Sequence, residues 1–263
     1  MLGYRDSNEN NKTYASWNWK GSGSQGSSNT TGSINTTYTS LNTTGKLSIS
    51  TYTGNGSAGA TIGHGLGVKP SMIIVKRLNL SEDYAVYHKS LGATKYLALN
   101  TTGAAVTSNT RWYDVEPTTS VFSVGSHITV NGSGSNYVAY CFADVQGFSK
   151  MGNYAGNNNA NGTFVYTGFS PAFIMVKKTS GTGGWQLRDN KRTAYGNETK
   201  NLLYASATST EQTTDGFDFL SNGFKWRNQA SDDNGTGDYI YMAFAENPIV
   251  ATSGSSAIPA TAR

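Results

Sequence analysis

The chain has 263 residues, of which 14% are charged, with a net charge of +4, 16 tyrosines and one cysteine. Lysines and arginines scattered singly give no basic stripe to track phosphates, apolar runs of four or five residues are too short to cross a membrane, and a lone cysteine excludes a disulfide framework. Abundant Gly, Ser, Thr and Asn disfavour helix and suit short strands joined by tight turns, which predicts an all-β protein.

Residues 1–46 show no charged and apolar leader of the secretory kind after Met1. They carry a predicted strand at residues 14–20, then a Gly/Ser run (21–28) and a Thr/Asn-rich tract reaching Thr44. That arm reads either as a flexible linker or as a strip laid on another surface.

A first unit, residues 47–147, breaks at Gly, Asn and Pro into predicted strands at 47–53, 60–63, 71–78, 84–88, 96–100, 121–124, 128–130 and 137–143. Its run at 71–76 is apolar enough to be a central strand buried on both faces. A second unit, residues 148–248, repeats the plan at 163–167, 172–178, 185–188, 202–205, 217–220, 224–227 and 239–245. Seven or eight short strands per hundred residues is the density of a β-sandwich. Residues 249–263 form an Ala/Ser/Thr/Pro tail without periodicity, expected to lie on a partner or in solvent.

The two units are copies. Tyr137-Val138-Ala139-Tyr140-Cys141-Phe142-Ala143 returns 102 positions later as Tyr239-Ile240-Tyr241-Met242-Ala243-Phe244-Ala245, and Pro70 and Pro171 each precede an apolar run. A period near a hundred residues is one small domain, not a solenoid turn. Tyr14-Ala15-Ser16-Trp17-Asn18-Trp19 echoes the last strand of a unit without the strands that should precede it. The expectation is a fragment or a strand that pairs with another copy, which makes Tyr14, Trp17 and Trp19 candidate assembly residues. The short join at 143–148 predicts that the units pack as one body, with continuous sheets as one way of doing so.

Candidate chemistry is sparse. His64, between Gly63 and Gly65, could meet a ligand or simply cap a turn. His64, His88 and His127 lie too far apart to read as a metal set. The acid pairs Asp114/Glu116, Glu82/Asp83 and Asp232/Asp233 fall in polar loops, and Cys141 reads as a small buried hydrophobe. No nucleophile elbow is present, so neither enzyme activity, cofactor nor metal is expected. Trp112, Tyr113, Trp185, Tyr195 and Trp226 fall at strand ends or in loops, where exposed rings beside Asn and Asp could stack on a sugar; the alternative is that they are core.

Tyr52-Thr53-Gly54, Gly63-His64-Gly65-Leu66-Gly67, Met72-Ile73-Ile74-Val75-Lys76, Val86-Tyr87-His88, Gly92-Ala93-Thr94-Lys95-Tyr96-Leu97, Phe164-Val165-Tyr166-Thr167-Gly168-Phe169, the two terminal strands and the closing Ile258-Pro259-Ala260-Thr261-Ala262-Arg263 together resemble a domain family in virion proteins of marine bacteriophages, described as tail-fibre or structural proteins. The resemblance spans nearly the whole chain. It implies a particle component with no assigned catalytic residues. With the strand density and the candidate sugar-stacking rings, the leading expectation is a tail fibre or appendage of tandem jelly-roll or concanavalin-A-like sandwiches, a homotrimer joined to other virion proteins, located in the particle, with a host-surface glycan as candidate ligand. A capsid decoration protein is the nearest alternative, and a free lectin or carbohydrate-active enzyme is the alternative of another class.

Overall fold

The structure, a computed structural model, describes residues 9–192 and 197–245. The architecture is all-β, with antiparallel strand pairing throughout both large sheets. The first unit contains β1 (Thr36–Asn42), β2 (Leu47–Thr53), β3 (Ala60–Gly63), β4 (Met72–Arg77), β5 (Ala85–His88), β6 (Lys95–Ala98), β7 (Val106–Thr107), helix α1 (Asn109–Trp112), β8 (Val121–Val124), helix α2 (Ile128–Asn131) and β9 (Asn136–Phe142). Seven of its strands form one sheet in the order β1-β2-β9-β4-β5-β6-β7, faced by the pair β3-β8. The second unit contains β10 (Ser149–Gly156), β11 (Phe164–Tyr166), β12 (Pro171–Lys178), β13 (Gln186–Asp189), β14 (Thr199–Tyr204), β15 (Gln212–Leu220), β16 (Gly223–Trp226) and β17 (Gly237–Ala245), in the order β10-β17-β12-β13-β14-β15-β16-β11.

The repeated strands β9 and β17 take the same place, β9 between β2 and the Pro-led β4, and β17 between β10 and the Pro-led β12. Their alternation explains why they are apolar on both faces. Tyr137, Ala139 and Cys141 point into the first sandwich with Ile73, Val75, Trp112 and Phe122. Tyr239, Tyr241 and Ala243 point into the second with Ile174, Val176, Phe224 and Trp226. The opposite faces meet: Met72, Val86, Leu97 and Phe142 pack on Met151, Met175, Trp185, Ile240, Met242 and Phe244 in a shared middle layer. The two sheets are therefore not continuous, as one expectation had it. They lie back to back, with apolar side chains leaving water on both sides of each sheet.

Polar groups caught in this layer are paired, as burial demands. The Trp185 indole N–H donates to the Ala98 carbonyl at 2.9 Å, and the Lys177 ammonium donates to the Thr102 carbonyl at 3.2 Å. His88 Nε2 lies 3.3 Å from the Tyr241 carbonyl, while its Nδ1 accepts the Ser90 N–H at 3.2 Å. Burial lowers its pKa to about 4, so the ring is neutral and donates through Nε2.

Each sandwich also contains one lock, built twice from equivalent residues. Tyr52 stacks on its cross-strand partner Tyr137 (5.2 Å between centroids), and Tyr154 stacks on Tyr239 (5.0 Å). The hydroxyls of Tyr52 and Tyr154 donate to the carbonyls of Val130 and Asp233. Beside them the buried amide of Asn131 donates to the Ser57 and Gly125 carbonyls and accepts the Asn55 N–H, while Asn234 donates to the Asn159 and Asn228 carbonyls. These side chains satisfy loop backbone that no ladder reaches.

The units differ at one seam. In the second, β10 and β11 at opposite ends of the sheet approach each other, bridged by Lys150 Nζ on the Tyr166 carbonyl (2.8 Å) and Thr163 Oγ1 on the Ala155 carbonyl (2.9 Å), so the sheet nearly closes into a barrel. In the first, the N-terminal arm fills the corresponding gap. β1 pairs with β2, and Ile34, buried in the core, pairs with Ile62 and donates its N–H to the Thr61 carbonyl at 2.9 Å. The arm is thus a strip laid on its own chain, and it contains a strand absent from the sequence reading. A second correction concerns residues 128–130: they form the one-turn helix α2, with the His127 side chain accepting the Thr129 N–H at its start. The tail at 249–263 lies outside the described residues.

Candidate functional site

Residues 14–20, expected as a strand, have none of the backbone pairing of one. In the complete copies the matching strand lies between two neighbours; the copy to which 14–20 corresponds offers neither among the described residues, and an isolated extended segment does not hold a ladder. Its rings hold it instead. Trp17 lies 5.4 Å from Phe173, and Trp19 lies 5.4 Å from Phe173 edge-on and 5.3 Å from Phe244. By the repeat, Trp17 and Trp19 match Tyr140 and Phe142 of β9 and Met242 and Phe244 of β17, the positions that face the middle layer. The segment therefore presents to the end of that layer the same face that β9 and β17 present within it. Tyr14 is about half exposed, and its hydroxyl oxygen accepts the Glu9 N–H at 2.8 Å.

Two open clefts flank the segment. One, of about 540 Å³, lies between Trp17 and the turn after β13, against Phe173, Asp189, Asn190 and Arg192. The Trp17 indole N–H donates to Asp189 Oδ2 at 3.2 Å, and Arg192 lies 5.4 Å from the Trp17 ring while donating to Asp189 (2.5 Å) and Glu211 (2.5 Å). Burial works against ionising Asp189, but the Arg192 side chain and the Lys191 and Arg192 backbone N–H groups outweigh it and hold the carboxyl below its usual range. The other cleft, of about 440 Å³, runs under Trp19 between Leu47, Phe148 and Phe244. Together they give an aromatic floor with a charged, hydrogen-bonded rim.

The rings expected to stack on a sugar do not form that surface. Trp112, Trp185 and Trp226 are 2%, 1% and 0% exposed, in the first core, the middle layer and the second core respectively. A large ring at a strand end gains most by turning inward, and sequence position alone does not distinguish the two orientations. Tyr113 is exposed, in the left-handed cap of α1 (φ 57°). Tyr195 lies outside the described residues. His64 is fully buried: its Nδ1 accepts the Leu66 N–H, its Nε2 meets the Thr118 carbonyl at 3.3 Å, and burial lowers its pKa. It caps its Gly-flanked turn.

Two of the candidate acids are similarly engaged. Glu116 accepts the Tyr87 hydroxyl at 2.6 Å and the Ala93 N–H at 2.7 Å, fixing the 114–118 loop. Asp233 lies 3.4 Å from Arg188 deep in the second sandwich, and burial pushes it up to about 6 against the pull of that arginine. Burial also raises the Cys141 thiol far above its usual value, which removes it as a nucleophile at neutral pH. Among the described residues no three His, Cys, Asp or Glu side chains are placed to hold a metal ion.

The sequence reading missed one constellation, at the rim of the first sandwich. Arg77 ends β4 at an inward-facing position, and Arg111 sits on α1, in a stretch read as loop. Both residues are buried; Glu82 lies 3.9 Å from Arg77, and the charges of Asp83 and Glu82 reach Arg111. The signal was the parity of Arg77 with Ile73 and Val75.

Neither the curated proteins nor the solved structures contain a match to this chain. A family profile matches residues 2–248, nearly the whole chain, and on that match the protein belongs to the DUF7483 family, a domain of unknown function.

Proposed function

We propose that this chain is a structural component of a bacteriophage particle, of tail-fibre or appendage type, that assembles as a homotrimer with other virion proteins and contacts a host-surface glycan. The observation that carries the reading is the end of the middle layer, where a repeat-derived segment offers Trp17 and Trp19 to Phe173 and Phe244 without any backbone pairing. Such an end suits the docking of further sandwich units, and the partly exposed Trp17 ring beside Asp189 and Arg192 suits a sugar. Weak contacts of this kind gain strength when several copies act together.

The arm supports a fibre over a capsid decoration protein, because it folds onto its own first sandwich and is not extended to lie along a shell. Glu116, Asp189 and Asp233 are each tied to a structural partner, which counts against these three as the working carboxyls of a carbohydrate-active enzyme. The test is antibody labelling of phage particles encoding this chain. Gold at the tail or its appendages supports the reading, gold over the shell supports decoration, and particles without label refute both.

A further inference from the structure

The rim of the first sandwich holds more positive charge than its own groups satisfy. Arg77 donates through Nε to Asn79 Oδ1 at 3.1 Å, but its Nη1 has no hydrogen-bond acceptor, and Glu82 stands off at 3.9 Å. Arg111 lies 4.4 Å from the Tyr96 ring and donates through Nη1 to Thr110 Oγ1, while its Nε is buried without an acceptor. They are 6% and 9% exposed, so water does not substitute freely, and a buried guanidinium N–H left unmet is costly. The adjacent Lys76, on the opposite face of β4, donates to the Glu82 backbone carbonyl and lies 4.5 Å from the Tyr84 ring.

Two carboxylates lie near the two guanidinium groups. Asp83 is committed to the Asn100 amide at 2.8 Å, and among the described residues the partly exposed Glu82 side chain makes only its long contact to Arg77, within electrostatic reach of Arg111. His127 stands nearby as a helix cap; burial and the Arg111 charge lower its pKa, so it adds no positive charge at neutral pH. Glu82 lies on the loop between β4 and β5, where Leu78 and Leu80 are exposed.

We propose that this rim is an oxyanion-binding site, in which a carboxylate, sulfate or phosphate group carried by a ligand displaces the Glu82 side chain and is held between Arg77 and Arg111. A guanidinium offers its N–H groups in a planar fork that matches an oxyanion in both shape and charge, which a single lysine does not. The site goes beyond the fibre reading and stands independently of it, since it lies on the first sandwich and uses none of the aromatic end.

The experiment is calorimetric titration and thermal melting of the full chain with sodium sulfate, sodium phosphate and sodium glucuronate, each against sodium chloride at matched ionic strength. Saturable binding or a saturable rise in Tm beyond chloride is expected for at least one of the three, and which one responds distinguishes the carboxylate from the sulfate or phosphate source. Glu82→Gln removes the competing carboxylate and should tighten binding by roughly fivefold, the factor a partly exposed ion pair is worth. Arg111→Met should weaken it by more than about tenfold. No saturable response in either the unmodified chain or Glu82→Gln overturns the proposal, as does a response that Arg111→Met leaves intact. Should Arg111→Met not fold, the Glu82→Gln comparison decides: unchanged or weaker binding refutes the site.

Discussion

His88 lies in the layer that joins the two sandwiches, and its protonation should separate them. The ring is fully buried, with Nε2 directed at the Tyr241 carbonyl of the other unit and Nδ1 occupied by the Ser90 N–H. Burial sets its folded pKa at about 4, below the ordinary value of 6.5. Between these values the unfolded chain binds a proton that the folded chain refuses, so stability falls as pH falls. The contribution is fully present above about pH 6.5 and is lost on the way down to about pH 4, amounting to about 3 kcal/mol across the window. His88→Gln keeps a side-chain amide for the Tyr241 carbonyl and removes the titration. Urea unfolding of both proteins at several pH values from 7.5 to 4 measures the difference directly. Asp233, raised by burial to about 6, acts with the opposite sign but is common to both proteins and drops out. The difference between parent and variant should change by about 3 kcal/mol, with the parent losing more in acid. Parallel curves would refute the placement of His88 as a neutral, interface-buried donor.

Other predictions follow from named contacts. Trp226→Ala, at the centre of the second core beside Phe217 and Phe224, should cost about 3–5 kcal/mol in denaturant unfolding. Asn131→Ala strands the Ser57 and Gly125 carbonyls and the Asn55 N–H, and should destabilise the first sandwich on the order of 3 kcal/mol, read from a shifted urea midpoint. Ile34→Ala should cost about 2–4 kcal/mol and speed hydrogen exchange of the residue-34 amide, because the arm loses its anchor in the first core.

The sequence showed the duplication because β9 and β17 must be apolar on both faces, and few residue patterns serve that requirement. Strands such as 60–63 and 121–124 were legible because Gly, Asn and Pro bound them. β1 was not: its Thr and Ser side chains bury little, and it forms only because β2 offers an edge and Ile34 finds the core. β10 was hidden by Gly152, which reads as a breaker. That glycine is required, since a Cβ there would come within 2.6 Å of the Tyr241 hydroxyl on the neighbouring strand. At 128–130 the β-branched residues suggested a strand, but the His127 cap and the turn before β9 gave a single helical turn. The three buried tryptophans show the same limit for the site: strand ends are visible in sequence, but the direction a ring turns is set by which neighbouring sheet is present. Arg77 and Arg111 were missed because nothing local brings β4 and α1 to one rim.

The assembly claim rests most directly on Trp17 and Trp19. Multi-angle light scattering over a range of concentrations, on the full chain and on a Trp17→Ser/Trp19→Ser variant, measures it. The account predicts a stable trimer for the full chain and dissociation to folded monomer for the variant, with circular dichroism unchanged because both rings lie outside the two sandwich cores. A monomer at every concentration, or a trimer indifferent to both substitutions, would contradict it.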